Sequence, residues 1–549
     1  MWGWGCTSIA DPTGDFFGGL TIEDFLSKIQ RLDSVTYFHN LKFDGHFIAD
    51  WLLNNGYTHT DSKDRARKGE FKSLISDQNQ WYSITVTWRN GFTTEFRDSL
   101  KKIPLPVARV AKAYNLEDSK GEIDYHSERP VGYEPTAEEW EYIRLDVMIV
   151  ALAMQEVLAN GMSRLTVGSD ALAEYKSLVG TELFQKLFPV LADDMDAEIR
   201  RAYRGGFTYA SPRFTGCVTR SGIVFDVNSL YPSVMYSKAL PYGEPEFFEG
   251  KPAPTKTHPL TIFSLTFEAT LKPGHIPCIQ IKGSSQFGAT EYLTEINEPT
   301  TLMMTDVDLA LYQDHYDFNI IEYGGGWRFK AATGMFKKYI DKWSKIKENE
   351  SGGKREIAKL FLNSLYGKFA TNPNVQSKIP TLVDGKIKMV LGAAETRPPV
   401  YTPVGVFITS YARNITVRAA QENYDTFAYA DTDSLHLLQD HVPATIDVHP
   451  TRMGAWKKEY KFQSAFYIRP KAYLERHYDD CGCGDKRGTP YERCKASYTN
   501  AIAGLPVKIT ESLTFADMVH GKILHGKLTP ETVPGGIILK DVEFKLKLH

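Results

Sequence analysis

The sequence predicts a multidomain protein of mixed α/β and α+β class. Its 549 residues exceed what a single hydrophobic core holds, so several domains are expected. Apolar segments that lead into Asp226 and Asp431 have the pattern of buried strands, whereas residues 354–367 repeat with a helical period. Strands and helices therefore alternate along the chain, with acidic side chains at strand ends.

Composition narrows the classes of protein that fit. Lys and Arg number 64 against 67 Asp and Glu, a net charge of -3, so any polyanion would bind through local patches. Aromatic residues make up 12% and offer stacking surfaces for unpaired bases. The chain has no apolar run of membrane length and no signal-peptide pattern, so we expect a cytoplasmic protein without a membrane partner.

Six cysteines in so long a chain do not form a disulfide framework and indicate a reducing compartment. Cys481, Cys483 and Cys494, with His477 nearby, could bind zinc. Their Cys-x-Cys spacing is not that of a standard zinc finger, so the sequence favours an irregular loop.

Residues 429–434 place Asp431 and Asp433 two residues apart between apolar segments. Strand alternation predicts both carboxylates on one side of a tight strand-turn-strand, where oxygen ligands suit Mg²⁺ bound partly through substrate phosphates. Taken alone, the pair could equally be solvated acids at a hairpin tip.

A third acid, Asp226, follows the apolar strand predicted over residues 222–227, and residues 228–232 form a polar turn that begins a helix. Three carboxylates from two strands can hold two Mg²⁺ ions for an in-line nucleotidyl transfer. The backbone amides after Asp226 could meet a triphosphate.

Residues 354–367 have two helical stripes, one cationic and ending in an aromatic ring, the other apolar. The first stripe comprises Arg355, Lys359, Asn363 and Tyr366, and the second Ile357, Phe361 and Leu365. Gly367 is the predicted helix end. The cationic stripe suits a nucleotide, although an ordinary solvated helix face is the alternative.

Together these segments resemble the family B DNA polymerases, specifically the protein-primed branch of small tailed bacteriophages. Residues 226–232 resemble motif A, residues 359–367 motif B and residues 429–434 motif C. Further primer and template contacts are implied by the Lys-x-Tyr, Tyr-x-Gly-Gly and template-contacting elements of the family. These contacts fall on Tyr203, Gly205, Gly206, Thr402, Gly405, Arg413, Lys471 and Tyr473.

The resemblance also implies roles within the polymerase site. Asp226 and Asp433 would bridge two Mg²⁺ ions, for which Mn²⁺ can substitute, with the Val227 carbonyl as a further ligand. Asp431 and Lys359 complete the catalytic set. The implied nucleotide-binding residues are Ser229, Leu230, Tyr231, Arg355, Lys359, Asn363 and Tyr366. Among them, Tyr231 would stack under the sugar and exclude a 2′-hydroxyl.

Residues 37–45 and 142–146 resemble the Exo II and Exo III motifs of a 3′–5′ exonuclease. The implied exonuclease residues are Asn40, Phe43, Asp44, Ser99, Leu100, Lys120, Tyr142 and Asp146. The Asp-x-Glu pair of the Exo I motif has no counterpart before residue 37. We interpret the sequence as N-terminally truncated or a natural variant, with a first strand missing and an impaired exonuclease.

The implied architecture is an RNase H-like exonuclease domain followed by a right-hand polymerase with two insertions. The expected boundaries are 1–166 for the exonuclease, 167–237 and 402–502 for the palm, 238–334 and 371–401 for the insertions, 335–370 for the fingers and 503–549 for the thumb. The first insertion would dock a terminal protein. The second contains a predicted hairpin whose type I′ turn, Asp384-Gly385, would help to encircle template.

We therefore predict a template-directed DNA polymerase that uses dNTPs on a DNA template and primer. It would be protein-primed and strand-displacing, and either monomeric or a heterodimer with a terminal protein. RNA-primed or primer-independent initiation competes with protein priming. A catalytically silent DNA-binding relic and a stand-alone nuclease are the rival classes, which the complete set of polymerase acids disfavours.

Overall fold

The computed structural model describes residues 3–62, 64–116, 121, 123, 129, 132–281, 292–477, 498–502, 505, 507–510 and 513–546. Within these ranges the elements form an N-terminal unit, a central sheet with an inserted second sheet, two long helices and two hairpins. This arrangement confirms the predicted multidomain α/β and α+β class.

The N-terminal unit is built on a five-stranded sheet covered by helices. Its elements are β1 Trp4–Thr7, β2 Phe16–Gly19, α1 Ile22–Ile29, β3 Ser34–Phe38, α2 Leu41–Asn54, β4 Thr58–His59, β5 Glu70–Ile75, β6 Trp81–Thr87, β7 Thr93–Asp98, α3 Val107–Ala113 and α4 Ala137–Ala159. The strand order is β3-β7-β6-β5-β4, with β3 parallel to β7, and β1 pairs only with β2 among the described strands. Leu41, Ile48 and Leu52 of α2 are buried with Trp81 of β6, because they recur on one helical face.

The central region follows with α5 Val167–Val179, α6 Thr181–Leu187, α7 Asp193–Arg200, β8 Thr208–Ala210, β9 Gly222–Val227 and α8 Leu230–Ser237. The first predicted insertion contains β10 Leu240–Phe248, β11 Leu260–Leu271, β12 Glu295–Thr305, α9 Asp306–His315 and β13 Tyr316–Ala332. Its four strands form their own antiparallel sheet in the order β10-β13-β11-β12.

The remaining elements are α10 Lys337–Asn349, α11 Gly352–Phe369, β14 Asn374–Val383, β15 Lys386–Thr396, α12 Thr402–Glu422, β16 Phe427–Asp431, β17 Ser434–Leu437, β18 Trp456–Phe462, β19 Ser464–Arg469, β20 Ala472–Arg476, β21 Tyr498–Ile502, α13 Val507–Thr510, β22 Ile523–Val533 and β23 Gly536–Lys545. The central sheet has the order β18-β9-β17-β16-β8. It brings together strands that are more than 200 residues apart in sequence.

Helix α11 confirms the predicted apolar stripe, since Ile357, Phe361 and Leu365 are all buried. The prediction that Gly367 ends the helix is wrong, because the helix continues through Phe369 and its C-cap is Ala370. Burial of Phe369 in the core stabilises the last turn despite the lower helix propensity of glycine.

The hairpin of β14 and β15 confirms the predicted turn. Asp384 and Gly385 have φ of 53° and 71°, as a type I′ turn requires, and Val383 pairs with Lys386. Met389 packs against the core of the N-terminal unit, and Ser377 forms a bridge with Ser76. The hairpin therefore packs against the N-terminal unit.

Candidate active site

The central sheet places the predicted acids at one end of neighbouring strands. Strands β9 and β17 are antiparallel, and Asp226 lies opposite Ser434. Asp433 is not in a strand but in the two-residue turn between β16 and β17. The predicted tight strand-turn-strand is confirmed, but Asp433 lies in the turn, so the turn and not strand alternation sets the direction of its side chain.

Three hydrogen bonds to backbone atoms of this turn hold it in place. Thr432 has φ of 61°, its N–H donates to the Phe207 carbonyl at 2.7 Å, and its carbonyl accepts from the Thr416 hydroxyl at 2.7 Å. The Val227 N–H donates to the Asp433 carbonyl at 2.8 Å. The turn that carries Asp433 is thus attached to the strand of Asp226 and to α12.

Gly206 explains part of the Tyr-x-Gly-Gly motif. A Cβ at this position would lie 2.7 Å from the side-chain atoms of Thr432, too close for any residue larger than glycine. The segment of residues 203–206 can therefore pass directly beneath the acidic turn. This contact supports a role of the motif in shaping the site.

Asp226 and Asp433 form an electrostatically strained pair. Burial, and next the nearby charge of Asp433, raise the pKa of Asp226 from 3.8 to about 7. Burial also raises the pKa of Asp433. Two partly desolvated carboxylates that repel each other are stabilised by a bound cation, so the donor set fits a hard divalent metal.

This pair would need oxygen ligands beyond its own side chains. Within the described ranges no group of three or more His, Cys, Asp and Glu side chains is arranged to hold a metal ion. Asp226, Asp433 and the adjacent Val227 carbonyl would hold the cation, with substrate phosphate and water supplying further oxygens, as is usual for Mg²⁺.

Asp431 has a different partner. Its two carboxylate oxygens accept hydrogen bonds from Lys471 Nζ at 2.9 and 2.8 Å, and one also accepts from the Thr208 hydroxyl at 3.0 Å. Because its charge is already balanced by Lys471, Asp431 is less suited than Asp226 and Asp433 to hold a cation, in keeping with a supporting role.

A cavity of about 420 Å³ lies beside the two acids. It is lined by Asp226, Val227, Asn228, Ser229, Leu230, Tyr231, Lys347, Lys359, Asn363, Tyr366, Asp433, Lys457 and Glu459. Most of the predicted nucleotide-binding residues therefore meet in one place. Arg355 is the exception, since it does not line the cavity and its Nε donates to the Lys347 carbonyl at 3.2 Å.

Lys347 is a functional candidate that the sequence did not reveal. Its Nζ donates to the Ser229 hydroxyl at 3.0 Å. Burial, followed by the charges of Arg355 and Lys359, lowers its pKa. The cavity is lined by three cations, Lys347, Lys359 and Lys457, which favour a polyanionic ligand. No local motif marks Lys347, because α10 meets α11 only in the folded chain.

Tyr231 and Tyr366 form the aromatic side of the cavity. Their rings stack with centroids 4.1 Å apart and planes at 24°. Burial, with the neighbouring Tyr366, raises the pKa of Tyr231 well above its usual value. The stacked pair is therefore a neutral aromatic wall of the cavity.

Three residues of the predicted template-contacting element, Thr402, Gly405 and Arg413, are buried. Thr402 accepts a hydrogen bond from Arg200 at 2.6 Å, and Gly405 packs against Ala370. Arg413 forms a bidentate ion pair with Asp308 at 2.8 and 2.9 Å.

The Thr402 and Arg413 side chains are thus engaged with protein, and contact of this segment with the template stays a prediction. Arg413 also donates to the carbonyls of Arg204 and Gly205 at 2.7 and 3.0 Å. Its contribution is to fix the Tyr-x-Gly-Gly segment. Tyr203 lies on that segment, beside Arg204, and is partly buried.

The predicted exonuclease residues lie on α2, α4 and the short 3₁₀ helix Ser99–Lys101. Asn40 caps α2 with φ of 84°, and Phe43 and Asp44 occupy its first turn. Tyr142 and Asp146 are one turn apart on α4. Lys120 lies outside the described residues, and Leu100 is half-buried.

The Ser99 side chain is engaged with protein. Its hydroxyl is fully buried, donates to the Phe38 carbonyl at 3.1 Å and lies 3.0 Å from His39 Nδ1. The Ser99 hydroxyl is thus held by protein groups, and contact of this segment with a DNA strand stays a prediction.

Cys481, Cys483 and Cys494 fall outside the described residues. The His477 Nε2 atom lies 2.7 Å from the Thr499 hydroxyl. In the described part of the chain, the helices include none with the length and apolar character needed to cross a membrane.

Comparison with known proteins gives one consistent result. A family model described as "DNA polymerase type B, organellar and viral" matches residues 27–134 and 122–449. The DNA polymerase of Bacillus phage Nf is 42% identical over 556 residues, which cover 100% of this chain and 96% of the relative.

Two solved structures of the DNA polymerase of Bacillus phage phi29 are also 42% identical, covering 100% of this chain and 96% of theirs. The complex with primer-template DNA has a TM-score of 0.92. The complex with primer-template DNA and incoming nucleotide substrates has a TM-score of 0.90. The likeness therefore extends over every element that builds the cavity.

Proposed function

The chain belongs to the organellar and viral type B DNA polymerases and is a DNA-directed DNA polymerase, and on that premise we propose how its cavity works. Its fold is the exonuclease unit joined to palm, fingers and thumb that the similar structures have. The cavity would bind a deoxynucleoside triphosphate against the primer end. The observation that carries this proposal is that Asp226 and Asp433 line the same cavity as the cationic side chains of Lys347 and Lys359.

The residues would divide the work by charge. Asp226, Asp433 and the Val227 carbonyl would hold two Mg²⁺ ions, or Mn²⁺ in their place. When bound, the metal ions would activate the primer hydroxyl and stabilise the pyrophosphate leaving group. Lys359 and Lys347 would bind the triphosphate, and Glu356, 2.5 Å from Lys359 Nζ, would keep that lysine oriented before substrate arrives.

The remaining site residues would select and place the substrates. Tyr231, held by stacking on Tyr366, would lie under the sugar and exclude a 2′-hydroxyl. Ser229, Leu230 and Asn363 line the same cavity. Tyr203, Gly205, Gly206, Lys471 and Tyr473 would place the primer and template, with Arg355 and Arg413 acting through neighbouring residues.

Primer-template DNA and incoming nucleotides are the molecules with which the phi29 enzyme was solved. Identity of 42% over the full chain supports the same substrates here. The proposed domains keep the boundaries stated above.

Protein priming and strand displacement are the finer part of the proposal. The inserted sheet β10-β13-β11-β12 would dock a terminal protein, with which the polymerase would form a heterodimer in the host cytoplasm. The β14–β15 hairpin, resting on the N-terminal unit through Met389, would enclose the template and separate the downstream strand. A 3′–5′ exonuclease site would rest on Asp44 and Asp146.

The test is primer extension by the purified 549-residue chain with Mg²⁺ and dNTPs. Wild type should extend a matched primer, whereas Asp433→Asn should lose several orders of magnitude in rate and still bind DNA. Asp440→Asn serves as the control, since this acid is exposed on the loop after β17. Extension by Asp433→Asn at the wild-type rate would overturn the site. Failure of wild type to incorporate any nucleotide would favour a silent DNA-binding relic.

A further inference from the structure

A buried polar cluster that does not line the cavity includes His436, on the strand that follows the acidic turn. Glu475 on β20 is fully buried, and His436 on β17 is 2% exposed. The His436 Nδ1 atom lies 2.6 Å from Glu475 Oε1. Because a carboxylate only accepts hydrogen bonds, this nitrogen carries the proton and donates it.

Two tyrosine hydroxyls complete the coordination of the carboxylate. Tyr467 donates to Glu475 Oε1 at 2.9 Å, and Tyr460 donates to Oε2 at 2.9 Å. The three donors, His436, Tyr460 and Tyr467, come from β17, β18 and β19. The Glu475 side chain therefore joins β17 and β18 of the central sheet to β19 and β20, which belong to another sheet. Loss of the acceptor would leave three donors without a partner in a buried place.

The cluster sits on the same strand as the proposed primer-gripping residues. Tyr473 and Glu475 are two residues apart on β20, so both point to the same face. The Tyr473 ring packs against His436 with centroids 5.2 Å apart and against Tyr429 at 5.0 Å. Tyr429 also accepts a hydrogen bond from the Lys471 N–H at 2.9 Å.

The contacts continue from there to the acidic turn. Lys471 Nζ binds both carboxylate oxygens of Asp431, which ends the strand before the turn with Asp433. Glu475 is thus connected to the acidic turn by packed aromatic rings and hydrogen bonds. A rigid network of this kind transmits a small displacement with little loss.

We propose that Glu475 is a positioning residue for the primer terminus: through His436 and Tyr467 it fixes β20 against β17, and so sets Lys471 and Tyr473 relative to Asp433. The inference rests on the proposed polymerase function and adds a residue that no motif of the sequence marks. Glu475 itself contacts neither DNA nor nucleotide, since it is enclosed by protein.

Glu475→Gln tests this role because it keeps the shape and removes the charge and one acceptor. Three quantities are measured: affinity for a 3′-dideoxy primer-template carrying 2-aminopurine at the primer end, apparent affinity for the incoming dNTP, and maximal rate. We expect primer-end affinity and rate to fall by about fivefold or more, with nucleotide affinity within about twofold of wild type.

Asp170→Asn is the matched control, since Asp170 is a buried acid paired with Lys102 away from the cavity. It should lower the melting temperature without changing primer-end affinity. A Glu475→Gln protein that loses only thermal stability, as the control does, would overturn the proposal. So would a parallel loss of primer and nucleotide affinity, because that indicates general damage to the site.

A second variant covers the case in which Glu475→Gln folds poorly. Tyr460→Phe removes a single donor and should produce a smaller primer-end defect in the same direction. The double variant Glu475→Gln with His436→Gln should be no worse in primer affinity than Glu475→Gln alone, because the two residues act as one unit. Full additivity would contradict the coupling. If wild type itself fails to extend primers, the proposed function fails instead.

Discussion

The Val227 N–H donates to the Asp433 carbonyl at 2.8 Å and so ties the strand of Asp226 directly to the turn of Asp433. Hydrogen bonds to the backbone, and not contacts of the carboxylates themselves, therefore fix the two acids relative to each other. On the other side of the turn, the Thr416 hydroxyl holds the Thr432 carbonyl at 2.7 Å. The position of the acid pair thus depends in part on Thr416, which does not line the cavity.

Thr416→Val should impair catalysis more than folding. The substitution keeps the shape but leaves the Thr432 carbonyl without its donor, a cost of about 1–3 kcal/mol. We expect the turn to shift and the extension rate to fall by about tenfold or more, because small misplacements of reacting groups are costly. Single-turnover extension and thermal melting measure the two effects.

Thr409→Val is the control for this prediction. Thr409 is also buried on α12, but its hydroxyl donates only to the helix carbonyls of Gly405 and Val406. It should lose a similar amount of stability and keep its rate. Equal rates for the two variants would show that the Thr416 contact does not position the turn.

The metal-free protein should lose stability as pH rises, through Asp226. Its pKa is 3.8 when unfolded and about 7 when folded, so the folded state binds the extra proton between these values. The stability term is therefore present at low pH and is lost as pH rises through about 7. Urea unfolding at about pH 5 and pH 8 should show a larger decline for wild type than for Asp226→Asn.

A divalent cation should reverse this trend at the upper end. Mg²⁺ binds the ionised carboxylates, so its stabilising effect should be greater at pH 8 than at pH 5 for wild type. The same pH dependence in Asp226→Asn would show that another group is responsible.

Tyr231→Val should weaken selection against ribonucleotides. The ring stacks on Tyr366 at the cavity wall, and its removal opens space beside the sugar. We expect the ratio of dNTP to rNTP incorporation efficiency to fall by about tenfold or more. Tyr231→Phe keeps the ring and should keep the selection. Unchanged discrimination in the valine variant would make Tyr231 a packing residue only.

Deletion of residues 379–389 should uncouple strand displacement from chemistry. The deleted segment holds the turn end of the hairpin and its contact with the N-terminal unit through Met389, but no residue that lines the cavity. Filling of a short gap should proceed at nearly the wild-type rate, whereas synthesis through a downstream duplex should stop.

Asp384→Asn is the control for the deletion, because asparagine also suits the first position of a type I′ turn. It should displace a downstream strand normally. Displacement by the deletion variant at the wild-type rate would remove the hairpin from the mechanism.

The sequence by itself determined the elements whose signals are local. The strand before Asp226, the apolar stripe of α11 and the Asp384-Gly385 hairpin each depend on periodicity or turn chemistry within a few residues. The same local motifs identified the family, and with it the acids Asp226 and Asp433. Those predictions needed no knowledge of which strands would become neighbours.

Only the tertiary structure decided which side chains share the cavity and which are enclosed. Lys347 joins the cationic wall because α10 packs beside α11, and Glu475 contacts His436 because two sheets meet. Arg413 carries a motif-like signal yet is buried against Asp308. Burial and long-range pairing depend on contacts between residues far apart in the chain, and no local pattern encodes those contacts.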